Sequence, residues 1–282
     1  MTRVIVTGAE GFIGRSVVDE LTRVGNSVSH WAQPVVSQAR YAEPADVVVH
    51  LAASSRYGEL KTEVGIDVPA TEAVLQYCRL HRARCIFAST AGVYRSAATQ
   101  QAEEASTDPR NAYAIGKLAA EECCRRASDQ LGLSCTVLRL FNVYGPGQRP
   151  PFLVPYVVEC IAADRPLDLK MPNAVRDFVY VVDVARAFAA AVDRYRDDYH
   201  VINIGSGKGT RVSELVESVG RLLGKSPSWN VAEGCSPEIR SSIADIRRAC
   251  ADLGWTPTVP LEAGLNATCE NHEQVLHPSG RP

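Results

Sequence analysis

Val4-Ile5-Val6-Thr7-Gly8-Ala9-Glu10-Gly11-Phe12-Ile13-Gly14 sets a β-branched run, a turn with three glycines and the start of an amphipathic segment in succession. The run predicts a strand over 3–7. The apolar spacing after the turn predicts a helix over 12–24, ended by Gly25-Asn26. Glycine at 8 permits a tight turn, and glycine at 11 lets backbone amides approach a pyrophosphate. Glycine at 14 lets the helix lie close to the sheet. The helix start adds oriented N–H groups and the positive end of a dipole, which suits phosphate charge. A glycine turn without a ligand is the plainer alternative. Strand, motif and helix in that order favour a nucleotide.

Outward from this stretch, short β-branched runs alternate with amphipathic ones. Strands are expected near 27–31, 46–52, 84–89 and 134–140, and helices near 66–82 and 111–130. That alternation predicts an α/β fold, a Rossmann-like doubly wound parallel sheet covered by helices. The interval from Trp31 to Asp46 holds Pro34 and Pro44 and is too short for a full strand–helix–strand unit. From Gly145 the texture changes: five prolines fall within 146–166, predicting a loop-rich opening to a smaller C-terminal substrate-binding lobe. A strand-like 176–181, an alanine-rich helix 183–196, a strand at 200–204 and a helix at 211–224 come next. The expected division is 1–145 for a dinucleotide-binding domain, with 176–204 returning to it, and 146–282 mainly for the substrate lobe. The polar tail after about residue 272 is expected to fray.

The formal net charge of −2 over 282 residues gives no general pull toward nucleic acid or an anionic membrane. No apolar run approaches the roughly 20 residues needed to span a bilayer. Arg3-Val4-Ile5-Val6 enters a strand with no leader pattern before it. The nine cysteines include no C-x-x-C pair. Reduced thiols, no metal site and a cytoplasmic protein are therefore expected.

Tyr113-Ala114-Ile115-Gly116-Lys117 falls in the helix predicted over 111–130, so the phenol and the ammonium share one face about a turn apart. An ammonium beside a phenol favours the phenolate, drawing an ordinary pKa of about 10 toward neutrality. Such a tyrosine can give or take a proton at a carbonyl or hydroxyl while hydride moves. Alone the spacing is weak evidence, since an exposed helix pair would look the same. Its partner stretch is Ser89-Thr90-Ala91-Gly92-Val93-Tyr94, at the carboxyl end of the strand predicted over 84–89, where parallel sheets present ligand-contacting groups. A hydroxyl there can orient a substrate oxygen toward the tyrosine.

The three-three glycine spacing of Gly8, Gly11 and Gly14, with these two stretches, resembles the extended short-chain dehydrogenase/reductases. This is the NAD-dependent epimerase/dehydratase family of enzymes acting on nucleotide-linked sugars. The resemblance implies Thr90, Tyr113 and Lys117 as catalytic residues, with Lys117 also at the nicotinamide ribose. It implies cofactor contacts at Gly8, Gly11, Phe12, Ile13, Gly14, Ala32, Leu51, Ala52 and Ala53, besides Tyr113 and Lys117. Ser89 is a second candidate donor to substrate, or a cap for the turn. The family usually has an acid at the end of the second strand for the adenosine ribose, where this chain has Ala32 and Gln33. No adjacent arginine replaces it, Arg15 and Arg40 being the nearest, so NAD and NADP both stay open.

The similarity extends to about residue 270. In Arg139-Leu140-Phe141-Asn142-Val143-Tyr144-Gly145-Pro146-Gly147 it implies that Asn142 meets the substrate phosphate and that Tyr144 lies near the nicotinamide pocket. In Arg176-Asp177-Phe178-Val179-Tyr180 it implies that Arg176 grips the nucleotide diphosphate, for which a planar guanidinium is apt. An ion pair of Arg176 with Asp177 or Asp183 is the alternative. Asn203-Ile204-Gly205-Ser206-Gly207 and Ser242-Ile243-Ala244-Asp245 resemble landmarks of a structural kind. Where the family often carries a diphosphate-binding arginine this chain has Cys235, and Arg240 is the candidate substitute.

Family dehydratases carry Asp-Glu directly after the catalytic threonine. Ala91-Gly92 offers no proton-transfer group there, which disfavours dehydration. Reduction of a 4-keto-6-deoxy sugar is the expected reaction, with 4-epimerisation through a transient ketone as the alternative. The short stretch after Trp31 suits a reductase, which exchanges cofactor each turnover. A non-catalytic dinucleotide sensor is a third reading, against which the complete Thr90, Tyr113 and Lys117 set argues. Family members commonly pair through the Tyr-bearing helix and the one before it, implying a homodimer.

Overall fold

The computed structural model describes residues 1–31, 35–39, 43–52, 67–97, 99–194, 198–231 and 241–276. The first half runs β1 (Arg3–Thr7), α1 (Phe12–Arg23), β2 (Ser27–Trp31), α2 (Val35–Gln38), β3 (Val47–His50), α3 (Asp67–His81), β4 (Arg84–Thr90), α4 (Ala112–Leu131) and β5 (Cys135–Leu140). Next come β6 (Asn142–Tyr144), α5 (Leu153–Ala162), β7 (Leu167–Leu169), β8 (Val175–Arg176), β9 (Phe178–Tyr180), α6 (Val181–Asp193) and β10 (Tyr199–Ile204). The remainder is β11 (Thr210–Arg211), α7 (Val212–Leu222), β12 (Trp229–Val231), β13 (Ser241–Ser242), α8 (Arg247–Leu253) and α9 (Leu261–Leu276).

Six strands form a parallel sheet in the order β10-β5-β4-β3-β1-β2. The chain steps from β1 outward to β2 and then returns to β1's other side as β3. This reversal opens a crevice at the carboxyl ends of β1 and β3. Both faces of the sheet are covered, so β3 and β5 are buried along their whole length and read as nearly continuous apolar runs. One face packs Val4, Val6, Val47 and Val49 against Val17 and Leu21 of α1 and Phe188 of α6. The other packs Ile5, Val48 and Phe87 against Val74 of α3 and Ala120 of α4. Local signals set the long helix α4: Asn111 accepts the Ala114 amide at 2.8 Å, and Gly132 closes it at φ +64°.

Among the described residues after Trp31 and before β3, the only element is the four-residue α2. Among the described residues no strand lies outside β2, which is the sheet edge. The proline-rich stretch departs from expectation, for α5 occupies 153–162 within it. Pro155 is its third residue, in the first turn, where a missing N–H costs no helical bond. The expected strand over 176–181 is broken into β8 and β9, and α6 starts at Val181. Tyr144, Val157, Leu167, Phe178, Leu215 and Leu265 make a second core beyond the sheet.

Eight cysteines among the described residues are free thiols, all buried except Cys250. Cys85 and Cys135 are register partners on β4 and β5. Hydrogen bonds with Cys135 and Cys85, and then burial, hold the Cys124 thiol well above the usual range.

Candidate active site

The glycine turn links β1 to α1 at the mouth of the crevice. Gly8 has φ +71°, and a Cβ there would lie 2.8 Å from the Ala52 nitrogen. At Gly14 a Cβ would overlap the Gly8 carbonyl and stand 2.8 Å from Ala9 Cα, so the helix presses on its own entry turn. Gly11 differs. It caps α1 with an ordinary φ of −71°, and a Cβ would meet only the Gly8 oxygen, at 3.2 Å. A side chain at Gly11 is thus crowded by one backbone atom, far less than at Gly8 or Gly14. No side chain caps the helix, and its first turn holds no acid that would offset the dipole. Phe12 and Ile13 are half-buried in the first turn, and Ile13 packs on the sheet core. Leu51 and Ala52, after β3, form the opposite lip. Ala32 and Ala53 lie outside the described residues.

Beneath the turn is a buried polar chain that sequence reasoning missed. The Ala52 amide donates to Thr7 Oγ1 at 3.0 Å, and Thr7 Oγ1 lies 2.7 Å from His50 Nδ1. His50 Nε2 lies 3.1 Å from the Thr71 hydroxyl on α3. Burial, helped by the nearby Lys117 charge, lowers the His50 pKa to about 3, so the ring is neutral. The available signal was a histidine ending the otherwise apolar Val47-Val48-Val49-His50.

Thr90 ends β4 and caps a short 3-10 turn over Ala91–Val93, its Oγ1 accepting the Gly92 amide at 3.1 Å. A Cβ on Gly92 would lie 3.4 Å from Thr90 Oγ1 and 3.6 Å from Ala114 Cβ. The threonine turn thus packs against the neighbour of Tyr113. Tyr113 is half-buried in the first turn of α4. Lys117, only 2% exposed, places Nζ 5.8 Å from the Tyr113 ring centroid and 4.8 Å from that of Phe87. The Thr90 turn, Tyr113 and Lys117 therefore lie close together where β4 ends and α4 begins. A carbonyl there could meet a hydrogen-bond donor and a proton donor together.

Ser89 is corrected. Side chains alternate along a strand, so Ser89 turns away from the surface Thr90 faces. It is buried and donates a short hydrogen bond to Glu121 on α4. Arg139, its register partner on β5, binds the same carboxylate through Nη2 at 2.7 Å and Nε at 3.0 Å. Although burial opposes its charge, the Glu121 pairing holds the Arg139 guanidinium above its usual range. Tyr94 stacks on Arg139, ring centroid to Cζ 4.7 Å, and donates to Asn203 Oδ1 at 2.7 Å.

Asn142, half-buried, donates through Nδ2 to the Asp177 carbonyl at 3.0 Å. Arg176 is half-buried on β8 and donates to the Val175 carbonyl at 3.0 Å. The two carboxylates considered as its partners are engaged elsewhere. Asp177 accepts from the Ser206 amide and hydroxyl, the Gly207 amide and the Ala244 amide. Asp183 takes Arg186, Thr258 and Val259. Arg240 and Cys235 lie outside the described residues. Tyr144 is buried in the second core against Gly264, and its hydroxyl donates to the Leu261 carbonyl at 3.1 Å.

Among the described residues no His, Cys, Asp and Glu gather as metal ligands, and no helix is long and apolar enough to cross a membrane. The model of the family described as "NAD dependent epimerase/dehydratase family" matches residues 4–205. The dTDP-4-dehydro-6-deoxyglucose reductase of Escherichia coli is 27% identical, over 93% of this chain and 95% of the relative. The crystal structure of Thermotoga maritima UDP-glucose 4-epimerase with UDP-glucose superposes with a TM-score of 0.87 at 28% identity, over 97% of this chain and 99% of the other. MoeE5 in complex with UDP-glucuronic acid and NAD gives 0.89 at 28%, with the same coverage.

Proposed function

Since the chain belongs to the NAD dependent epimerase/dehydratase family, we propose that it is a dinucleotide-dependent oxidoreductase that reduces a 4-keto-6-deoxy sugar carried on a nucleotide. The enzymatic reading is supported by the packing of the Thr90 turn against the start of α4, where Tyr113 and the Lys117 ammonium lie together. The turn suits a pyrophosphate, because Gly8 and Gly14 are closed to any side chain and no side chain caps the amides of α1.

NAD(P)H, when bound, supplies the hydride. Tyr113 gives its phenolic proton to the C4 carbonyl oxygen. Thr90 donates a hydrogen bond to the same oxygen and holds it toward the phenol. Lys117 stabilises the phenolate that remains and orients the nicotinamide ribose. Asn142, Arg176 and Arg240 take the substrate's phosphates from the second lobe. In this division residues 1–145 and 176–204 hold the cofactor, and 146–282 mainly hold the sugar nucleotide.

Reduction is preferred to epimerisation because β2 is the edge of the sheet and only the four-residue α2 comes after it among the described residues before β3. A reductase must release its dinucleotide each turnover, and an abbreviated adenosine side favours release. The alternative, 4-epimerisation with retained cofactor, is supported by the 4-epimerase among the structural neighbours. The pair Ala91-Gly92 disfavours dehydration. The exposed Leu80, Ile115 and Leu131 on α3 and α4 support a homodimer through those helices. The reduced, buried thiols support a protein of the cytoplasm.

The experiment incubates the protein with dTDP-, UDP-, GDP- and CDP-linked 4-keto-6-deoxy sugars and NADH or NADPH, following the nicotinamide absorbance. Stoichiometric oxidation supports the reductase. Epimerised sugar without net oxidation transfers the assignment to the alternative, and neither outcome leaves a dinucleotide sensor.

A further inference from the structure

Tyr113, Lys117 and Glu121 succeed one another at four-residue intervals on α4, one face of one helix. Lys117 and Glu121 are both buried. An ammonium one turn from a carboxylate is ordinarily drawn to it. Here the carboxylate is already taken. Oε1 receives the Ser89 hydroxyl and Arg139 Nε, and Oε2 receives Arg139 Nη2. Ser89 directly precedes Thr90, and Arg139 faces Ser89 across the sheet. The same three groups therefore tie the strand that ends in Thr90 to the helix that carries Tyr113.

We propose that Glu121 and Arg139, locked to β4 through Ser89, are positioning residues that keep the Lys117 ammonium committed to Tyr113. This rests on the reading of Tyr113 as the proton donor. A buried ion pair gains little stability over an apolar pair of similar volume. Its effect here is one of direction, since Arg139 cancels a carboxylate that would otherwise compete with the phenol for Lys117. The neighbouring groups do not replace that cancellation. Tyr94 stacks on Arg139, and Tyr199 of β10 and Cys124 of α4 are near Glu121. Glu103 accepts from Arg139 through its backbone carbonyl, and its carboxylate lies 3.8 Å from Arg248. His50, facing Lys117 from β3, is uncharged.

The test titrates the Tyr113 phenol by ultraviolet difference absorbance against the matching Tyr113→Phe protein, and in parallel measures the pH profile of kcat/KM. Glu121→Gln leaves Arg139 uncompensated and shifts the phenol downward by roughly half a unit to one unit. Arg139→Met leaves the carboxylate uncompensated and shifts it upward by a similar amount. The double variant returns it to the parent value. A purely structural role would lower melting temperature and rate in both single variants without opposite shifts. Unshifted titrations in both overturn the proposal. Should Arg139→Met fail to fold, a downward shift in Glu121→Gln that the double variant cancels sustains it, and no shift overturns it. Full turnover in Tyr113→Phe instead removes the underlying reading of the site. An inactive Tyr113→Phe with unshifted Glu121→Gln removes the positioning role alone.

Discussion

Thr7 and His50 are register partners at the ends of β1 and β3, with 2.7 Å between the Thr7 hydroxyl and His50 Nδ1. Through the Ala52 amide on one side and Thr71 on the other, this contact joins both lips of the glycine crevice to α3. The crevice is thus braced from below by buried side chains.

His50 makes folding stability fall in mild acid. Its folded pKa of about 3 lies under the ordinary 6.5, so between these values the unfolded chain binds the extra proton. The contribution is complete above pH 6.5 and is lost as pH falls toward 3, at about 1.4 kcal/mol per pH unit. Urea unfolding at pH 7 and pH 5 should differ by about 2 kcal/mol more in the parent than in His50→Gln. Equal differences would place the acid sensitivity in other groups.

Gly11 and Gly14 should separate binding from folding. Gly14→Ala forces a methyl into the Gly8 carbonyl and should cost about 1–3 kcal/mol of stability. Gly11→Val has an ordinary φ and meets only the Gly8 carbonyl, at 3.2 Å, so it should cost less stability than Gly14→Ala. Its dinucleotide affinity should drop about tenfold or more, a loss of at least ~1.4 kcal/mol. Calorimetric titration checks both, and undiminished affinity in Gly11→Val would contradict the phosphate-turn assignment.

Tyr113→Phe should lose at least about 100-fold in turnover while binding dinucleotide nearly as the parent does. Single-turnover rates and fluorescence titration of the reduced nicotinamide distinguish the two effects. Retained turnover would take the phenol out of the chemistry.

Cofactor choice is expected from the sequence after Trp31, which ends β2. With alanine at 32 and glutamine at 33, no carboxylate there repels a ribose phosphate. NADH and NADPH should bind within about tenfold of each other. Ala32→Asp should weaken NADPH more than NADH. Equal weakening of the two would locate the discrimination elsewhere.

The sheet strands, α1, α3 and α4 are legible from their apolar patterning, and α4 also from its local caps Asn111 and Gly132. The glycine turn is legible because its requirements fall within seven residues. Ser89 was misassigned because its partner Glu121 is 32 positions away, and strand alternation alone does not reveal what waits on the far face. His50 was overlooked because Thr7 and Thr71 become its neighbours only through folding. The surroundings of Tyr144 are not legible locally, because Gly264, 120 positions further on, makes the niche that receives its ring. The helix α5 was hidden by proline counting, which ignored that a first helical turn tolerates the residue.

The cysteines have a practical consequence. Among the described residues only Cys250 is an exposed cysteine, and Cys124 of α4 is held protonated against Cys85 and Cys135 of the sheet. Thiolates, not thiols, react with alkylating probes. The native chain therefore carries a silent set of labels that becomes visible when β4, β5 and α4 part company. Pulsed alkylation read by mass spectrometry would time the opening of this catalytic layer with no tag or dye added.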